Sequence, residues 1–330
     1  MPRLLAALIL VLLAALPARA APLATLSDGG SGEIEFETRT PRGPSDVVRR
    51  NPDMPAVAIS GRLILPPGAG RVPAVIIAHG SGGILPGREH EWAARLNALG
   101  YATFVVDSFT GRSLRSTGTD QTRLSTMANT VDALEALKLL ASHPRIDAGR
   151  IAVMGFSRGG QVALYTALEP IRLGVIDGAL RFAAHLALYP SCNIPYRADE
   201  VSPAPVLMLL GAADDYTPAP PCFAYADWFA SKGARIDAKA YDGAYHDFDI
   251  PDPPRRYPRL QSARNCRAEV EVGKGTMRRL DTGEEMADQS VINGYLRSCM
   301  EYGATYGGDA QALAAAQRDV ADFLKRAFAQ

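Results

Sequence analysis

Hydrophobic and polar positions alternate strictly at the start of the chain and then stop alternating. Residues 33–37 set charges between Ile34 and Phe36, and residues 56–65 alternate around Ile59, Leu63 and Leu65. Both patterns predict half-exposed strands, and the turn-rich, charged stretch 41–52 between them predicts an antiparallel start to a sheet. From Val72 onward the pattern becomes short continuous apolar runs, at 75–78, 102–106, 151–154, 183–188 and 206–210, with a weaker one at 238–241. Such runs predict strands covered on both faces, as in a mostly parallel sheet.

Segments of helical period separate the runs. Residues 91–99 predict a short helix ended by Gly100, while Leu124, Met127, Val131, Leu134 and Leu137 fall on one face of a longer helix stopped near Pro144. Residues 160–168 and 223–231 predict two more, and Leu313, Val320, Phe323 and Leu324 mark a C-terminal helix. The expected fold class is therefore α/β, a mostly parallel central sheet with helices on both faces and antiparallel N-terminal strands. Residues 251–308 break the rhythm: they are Pro-rich and charged with no sustained period, and read as an insertion. No internal repeat alters this picture.

The first twenty residues read as a signal peptide. Arg3 supplies the positive start, residues 4–16 are a leucine and alanine run, and Ala18-Arg19-Ala20 fits a small-residue cleavage site. That run is shorter than the roughly 20 residues a membrane-crossing helix needs, so export to the periplasm or the extracellular space is expected, without stable membrane insertion. Residues 21–330 are then expected to form a single domain. Lys plus Arg and Asp plus Glu stand at 35 each, so charge offers no footprint for nucleic acid, and a small-molecule substrate is the expected partner.

All four cysteines lie in the second half. An even count in an exported chain favours disulfides, and no Cys-x-x-Cys spacing suggests zinc. Pairing Cys192 with Cys222 and Cys266 with Cys299 closes two local loops of roughly 30 residues, each stabilising by about 3 to 4 kcal/mol in the chain-entropy account.

The chemistry centres on Gly155-Phe156-Ser157-Arg158-Gly159-Gly160, placed directly after one predicted strand and before a helix of small residues. A serine at such a tip sits in a strained turn, so its neighbours must be glycine, and the helix N-terminus favours developing negative charge. A turn serine that merely caps the helix leaves the bracketing glycines unexplained. An alcohol needs a base to become a nucleophile at neutral pH. Of five histidines, His79, His90, His143 and His185 sit in turns, helix ends or an apolar strand, whereas His246 lies in a polar loop after the last strand.

The imidazole in turn needs a carboxylate to fix its tautomer. Asp214 and Asp215 follow the run 206–210 at the strand's C-terminal edge, where catalytic loops collect; Asp214 is the expected acid and Asp215 a capping residue. Acyl transfer also needs oxyanion donors. The backbone N–H groups of Arg158 and of Ser81, with Gly82 as a fallback, are expected to supply them, because His79-Gly80-Ser81-Gly82-Gly83 follows an early strand. Phe109, Tyr216 and Tyr245 lie near these motifs as candidate pocket walls.

Together with Asp107-Ser108-Phe109, Gly211-Ala212-Ala213-Asp214 and Gly243-Ala244-Tyr245-His246, these stretches resemble the dienelactone hydrolase family of α/β-hydrolases over roughly residues 72–248 and the final helix. The resemblance implies that fold, with nucleophile, acid and histidine at Ser157, Asp214 and His246. The chain departs from the family's name-giving enzymes, which use cysteine, are cytoplasmic and are shorter. The expectation is an esterase or lactonase that needs no cofactor or metal. An acyltransferase or small peptidase on the same scaffold, or a non-catalytic binding module, are the alternatives. The insertion after His246 is expected either to rim the pocket or to be a disulfide-pinned surface excursion.

Overall fold

A computed structural model describes residues 21–329; the leader expected over residues 1–20 lies outside them. The strands are β1 Gly32–Arg39, β2 Ala56–Ile64, β3 Val72–Ala78, β4 Ala102–Asp107, β5 Ile146–Phe156, β6 Ala184–Leu188, β7 Tyr196–Arg197, β8 Val206–Gly211 and β9 Ile236–Tyr241, followed by β10 Arg255–Ser262, β11 Ala268–Glu271, β12 Thr276–Arg279, β13 Glu285–Met286 and β14 Glu301–Tyr306. The helices are α1 Pro44–Val48, α2 Glu89–Ala98, α3 Thr126–Ala141, α4 Arg158–Tyr165, α5 Glu169–Val175, α6 Ala219–Ser231, α7 Gln289–Cys299 and α8 Ala310–Phe328.

Eight strands form the central sheet in the order β1-β2-β4-β3-β5-β6-β8-β9. The β1/β2 and β2/β4 pairs are antiparallel and every other pair is parallel. The continuous apolar runs have the reason assigned to them. Along β3, Ala74, Ile76 and Ala78 pack towards α3, α4, α5 and α6, while Val75 and Ile77 pack towards α2 and α8. A strand covered on both faces keeps no polar alternate, and each fully buried Val or Ile stabilises by roughly 1.5–3 kcal/mol.

Two expectations are corrected. The stretch 41–52 carries a short helix, α1, begun by Pro44 at its first turn, where the missing N–H costs nothing. Residues 251–308 are not without regular structure. They hold the antiparallel pair β10/β14, helix α7 and three strands, β11, β12 and β13, of a four-stranded sheet ordered β13-β12-β11-β7. Strands of two to four residues are too short to register as a period, and β11 completes itself by pairing in parallel with β7 from the main body. Ala268, Val270, Met277 and Met286 make a small core there, against Ile194, Tyr196 and Leu296.

Both disulfides pair as expected, Cys192 with Cys222 and Cys266 with Cys299. The insertion is also clamped to the loops that end β8 and β9. Asp215 accepts from the Thr305 N–H (2.6 Å) and hydroxyl (3.1 Å), and the N–H of Gly307 donates to the His246 carbonyl at 2.9 Å. Among the described residues, no helix is long and apolar enough to cross a membrane.

Candidate active site

Ser157 occupies the turn between β5 and α4 with φ 55° and ψ −111°, a left-handed backbone that costs a non-glycine residue about 1–3 kcal/mol. The bracketing glycines are required by close approach rather than by dihedral. A Cβ on Gly155 would lie 2.0 Å from the Gly159 carbonyl oxygen, and one on Gly159 would lie 2.0 Å from that of Ala78. With the chain folded this tightly, the Ser157 N–H donates to the Leu188 carbonyl at 2.9 Å, and the hydroxyl stands at the sheet's C-terminal edge.

There His246 Nε2 meets Ser157 Oγ at 2.9 Å, and His246 Nδ1 meets Asp214 Oδ2 at 2.7 Å. The network assigns the proton to Nδ1, leaving Nε2 free to accept from the serine. Asp214 is held by the turn it begins: its Oδ1 accepts from the N–H groups of Tyr216 and Thr217, both at 2.8 Å. Thr217 Oγ1 lies 2.9 Å from both Asp214 Oδ2 and His246 Nδ1, closing the acid–imidazole pair against rotation. The rings of Tyr189 and Tyr216 pack edge-on to the imidazole at 4.8 and 4.7 Å. Asp215 lies outside the triad but does not cap the loop or α6 as expected: Asp214 takes the turn's N–H groups, and the Asp215 carboxylate is bonded instead to Thr305 and Arg256 of the insertion.

Burial pushes the His246 pKa down, but the charge and hydrogen bond of Asp214, with a further contribution from Asp247, outweigh it and hold the imidazole above its ordinary value. Asp247 belongs to a buried cluster beside the triad that residue-by-residue reading missed. The Arg88 guanidinium donates to Asp247 Oδ1 at 2.7 Å and to Glu89 Oε1 at 2.6 and 3.0 Å, and all three side chains are buried. Asp247 Oδ1 lies 4.0 Å from His246 Nε2, on the nitrogen that takes the serine's proton. Next to it, Asp249 accepts from Tyr189 Oη (2.6 Å) and Trp92 Nε1 (2.7 Å), and burial lifts its carboxyl to about 6. The available signal was the pair of aspartates that brackets Phe248 directly after the histidine.

A cavity of about 200 Å³ opens on Ser157. Tyr216 lines it as expected, and Ser81 and Arg158 also lie on its wall. Neither the N–H of Arg158 nor that of Ser81 meets an acceptor among the described residues, so both are available to an oxyanion. The fallback donor Gly82 is not on the cavity wall, and a Cβ there would meet Leu85 Cδ2 at 3.1 Å. Phe109 and Tyr245 are also absent from the wall. Phe109 is buried edge-on against His79, at 4.4 Å, and packs with Leu124 and Ala128, because the turn after β4 directs it into the body. Tyr245 is half-buried outside the cavity.

The side chain of Arg158, as distinct from its N–H, is a further finding. Its guanidinium is buried and donates only to neutral acceptors: the carbonyls of Leu124 (2.9 Å) and Gln121 (3.1 Å), the Gln121 amide oxygen (2.6 Å), and the Thr126 and Ser81 hydroxyls (3.2 and 3.4 Å). Burial without a carboxylate partner brings its pKa down to about 10. It ties the start of α4 to the Ser81 loop and to the segment before α3. Among the described residues, no group of His, Cys, Asp and Glu is arranged to hold a metal ion.

The fold is similar to that of a dienelactone-hydrolase-like promiscuous phosphotriesterase from metagenomic libraries, at 15% identity over 90% of this chain and 99% of that one, with a TM-score of 0.53. It is also similar to esterase 2 of Thermogutta terrifontis, at 18% identity over 58% of this chain and 79% of that one, with a TM-score of 0.47. The same esterase phosphoramylated by tabun matches at 17% identity over 58% of this chain and 81% of that one, with the same TM-score. No curated protein matches the chain. The dienelactone hydrolase family matches residues 59–272, a stretch that runs from β2 into the insertion and takes in the serine turn, the acid loop and the histidine loop. Since that match spans more than half of the sequence and the sheet order, strand-turn-helix serine and loop placement all agree with it, the chain belongs to the dienelactone hydrolase family.

Proposed function

We propose that the chain is an exported serine hydrolase that cleaves a carboxylic ester or lactone through an acyl-enzyme on Ser157. The observation that carries this reading is the unbroken line from Ser157 Oγ to His246 Nε2 (2.9 Å) and from Nδ1 to Asp214 (2.7 Å). In the first half-reaction Nε2 takes the hydroxyl proton as Oγ bonds to the carbonyl carbon. The carbonyl oxygen becomes an oxyanion facing the N–H groups of Arg158 and Ser81. As the intermediate collapses, the C–O bond to the alcohol breaks and the imidazolium returns its proton to the leaving oxygen; from a lactone, the freed hydroxyl stays on the acyl group. Water then repeats the sequence in place of serine, releasing the acid and restoring the hydroxyl.

Export is supported by the composition of residues 1–20 and by two disulfides, which persist in oxidising compartments. A fluorophosphonate probe and a p-nitrophenyl ester assay test the chemistry. The wild-type protein is expected to be labelled on Ser157, and Ser157→Ala to lose roughly 10⁴ to 10⁶ in kcat/KM with an unchanged melting temperature. Undiminished ester hydrolysis by that variant rejects the mechanism.

A further inference from the structure

The cavity that opens on Ser157 is built from two sources. Gln161 and Tyr165 come from α4 in the main body, and Met277, Leu296 and Met300 come from the disulfide-closed insertion, with Ile194 beside them. Gln161 is one helical turn from the serine and Tyr165 two, so the cavity follows α4 for roughly 12 Å. At its far end Tyr165 stacks on Tyr196 with ring centroids 4.2 Å apart, and Tyr196, Ile194 and Leu296 pack on the insertion's small core, which includes Met277. The floor near the nucleophile is thus polar, whereas the far wall is aliphatic and thioether.

We infer that the insertion forms the acyl subsite, and that the substrate is an ester of an unbranched aliphatic acid of medium length whose apolar end rests on Met277, Leu296 and Met300. This rests on the serine hydrolase reading above. The side of the bond is decided by the histidine. His246 protonates the departing alcohol, so the alcohol leaves on the imidazole's side, and His246 is not among the residues that line the cavity. The oxyanion donors Arg158 and Ser81 do line it. The group that stays bonded to Ser157 therefore points along α4 towards the insertion. Size follows from volume and reach: about 200 Å³, extending along α4 for roughly 12 Å, accommodates an acyl chain of roughly six to eight heavy atoms. Methionine suits such a wall because its unbranched thioether adjusts to chain ends of different length. The wall holds its position because the insertion is anchored at several points. Cys299, next to Met300, is bonded to Cys266; β11 pairs with β7; and Asp215, next to the acid, holds β14.

The experiment is a kcat/KM profile on p-nitrophenyl esters of two- to twelve-carbon acids, set beside one on hexanoate esters of alcohols of graded length. The wild-type acyl profile is expected to peak near six carbons. Met300→Ala, at a half-buried position, and Met277→Ala should each move the peak about two carbons longer, and Leu296→Trp should move it shorter. Each additional methylene received by the wall is worth roughly fourfold, so the decanoate-to-hexanoate ratio should rise roughly tenfold or more in the alanine variants. The alcohol profile should keep its shape. Variants whose Ser157 is labelled by fluorophosphonate at the wild-type rate, yet which keep the wild-type acyl profile, overturn the inference, and so does a shift that follows the alcohol. A wild-type protein that resists the probe instead removes the serine hydrolase reading, and this inference with it.

Discussion

His246 sits between two carboxylates that act on different ring nitrogens. Asp214 bonds to Nδ1 and fixes the tautomer, while Asp247 stands 4.0 Å from Nε2, itself held by Arg88. Both favour the imidazolium and together outweigh burial, so the folded pKa lies above the ordinary histidine value. The neutral ring is the base, so kcat/KM is expected to fall as pH drops through that raised pKa. Stability moves the other way. A raised histidine pKa stabilises the fold fully below the unfolded value of about 6.5, and the contribution is lost as pH rises through the folded pKa. Asp247→Asn isolates the second carboxylate. Asparagine tolerates the φ of 54° at this position, and Arg88 keeps Glu89. The acid limb of the kcat/KM profile is expected at lower pH in the variant than in the wild type; coincident limbs would remove Asp247 from the account of the base.

At the scale of elements, the serine turn depends on how closely β3, β5 and α4 approach. Gly159 brings α4 against the end of β3, and a methyl group there meets the Ala78 carbonyl oxygen at 2.0 Å. Neither backbone can yield without moving the nucleophile. Gly159→Ala is therefore expected to destabilise by at least about 3 kcal/mol, at the upper end of overpacking costs. Gly43→Ala, where a Cβ meets nothing within 4 Å, should change stability by under about 0.5 kcal/mol. Urea midpoints of the two variants make the comparison, and equal midpoints would contradict the packing argument. This turn was legible in the sequence because steric necessity leaves a local mark. The insertion's strands left none, since β7 supplies the partner of β11 from more than 70 residues earlier in the chain.

Over the whole molecule, the two disulfides close spans of 30 and 33 residues. On the chain-entropy account each stabilises by about 3 to 4 kcal/mol. Replacing both members of either pair by serine is expected to lower the melting temperature by several degrees while leaving Ser157 reactive to fluorophosphonate, since neither bridge includes a triad residue. Melting curves unchanged in both variants would show that the folded loops need no covalent closure. The bridges also divide the labour: Cys192–Cys222 ties the loop after β6 to α6 within the main body, and Cys266–Cys299 closes the insertion on itself.

The sequence alone determined the alternation of strand and helix, the serine turn, the choice of His246 and Asp214, and the local cysteine pairs. Each follows from short-range rules of period, steric exclusion, loop closure or the needs of an alcohol nucleophile. Tertiary structure alone decided the rest. It turned Phe109 inward and put Gly82 off the wall, gathered Arg88, Glu89 and Asp247 beside the imidazole, and brought Met277, Leu296 and Met300 opposite a helix more than 100 residues away in sequence. Those contacts depend on which surfaces remain to be covered once the sheet has formed, and no local pattern encodes that.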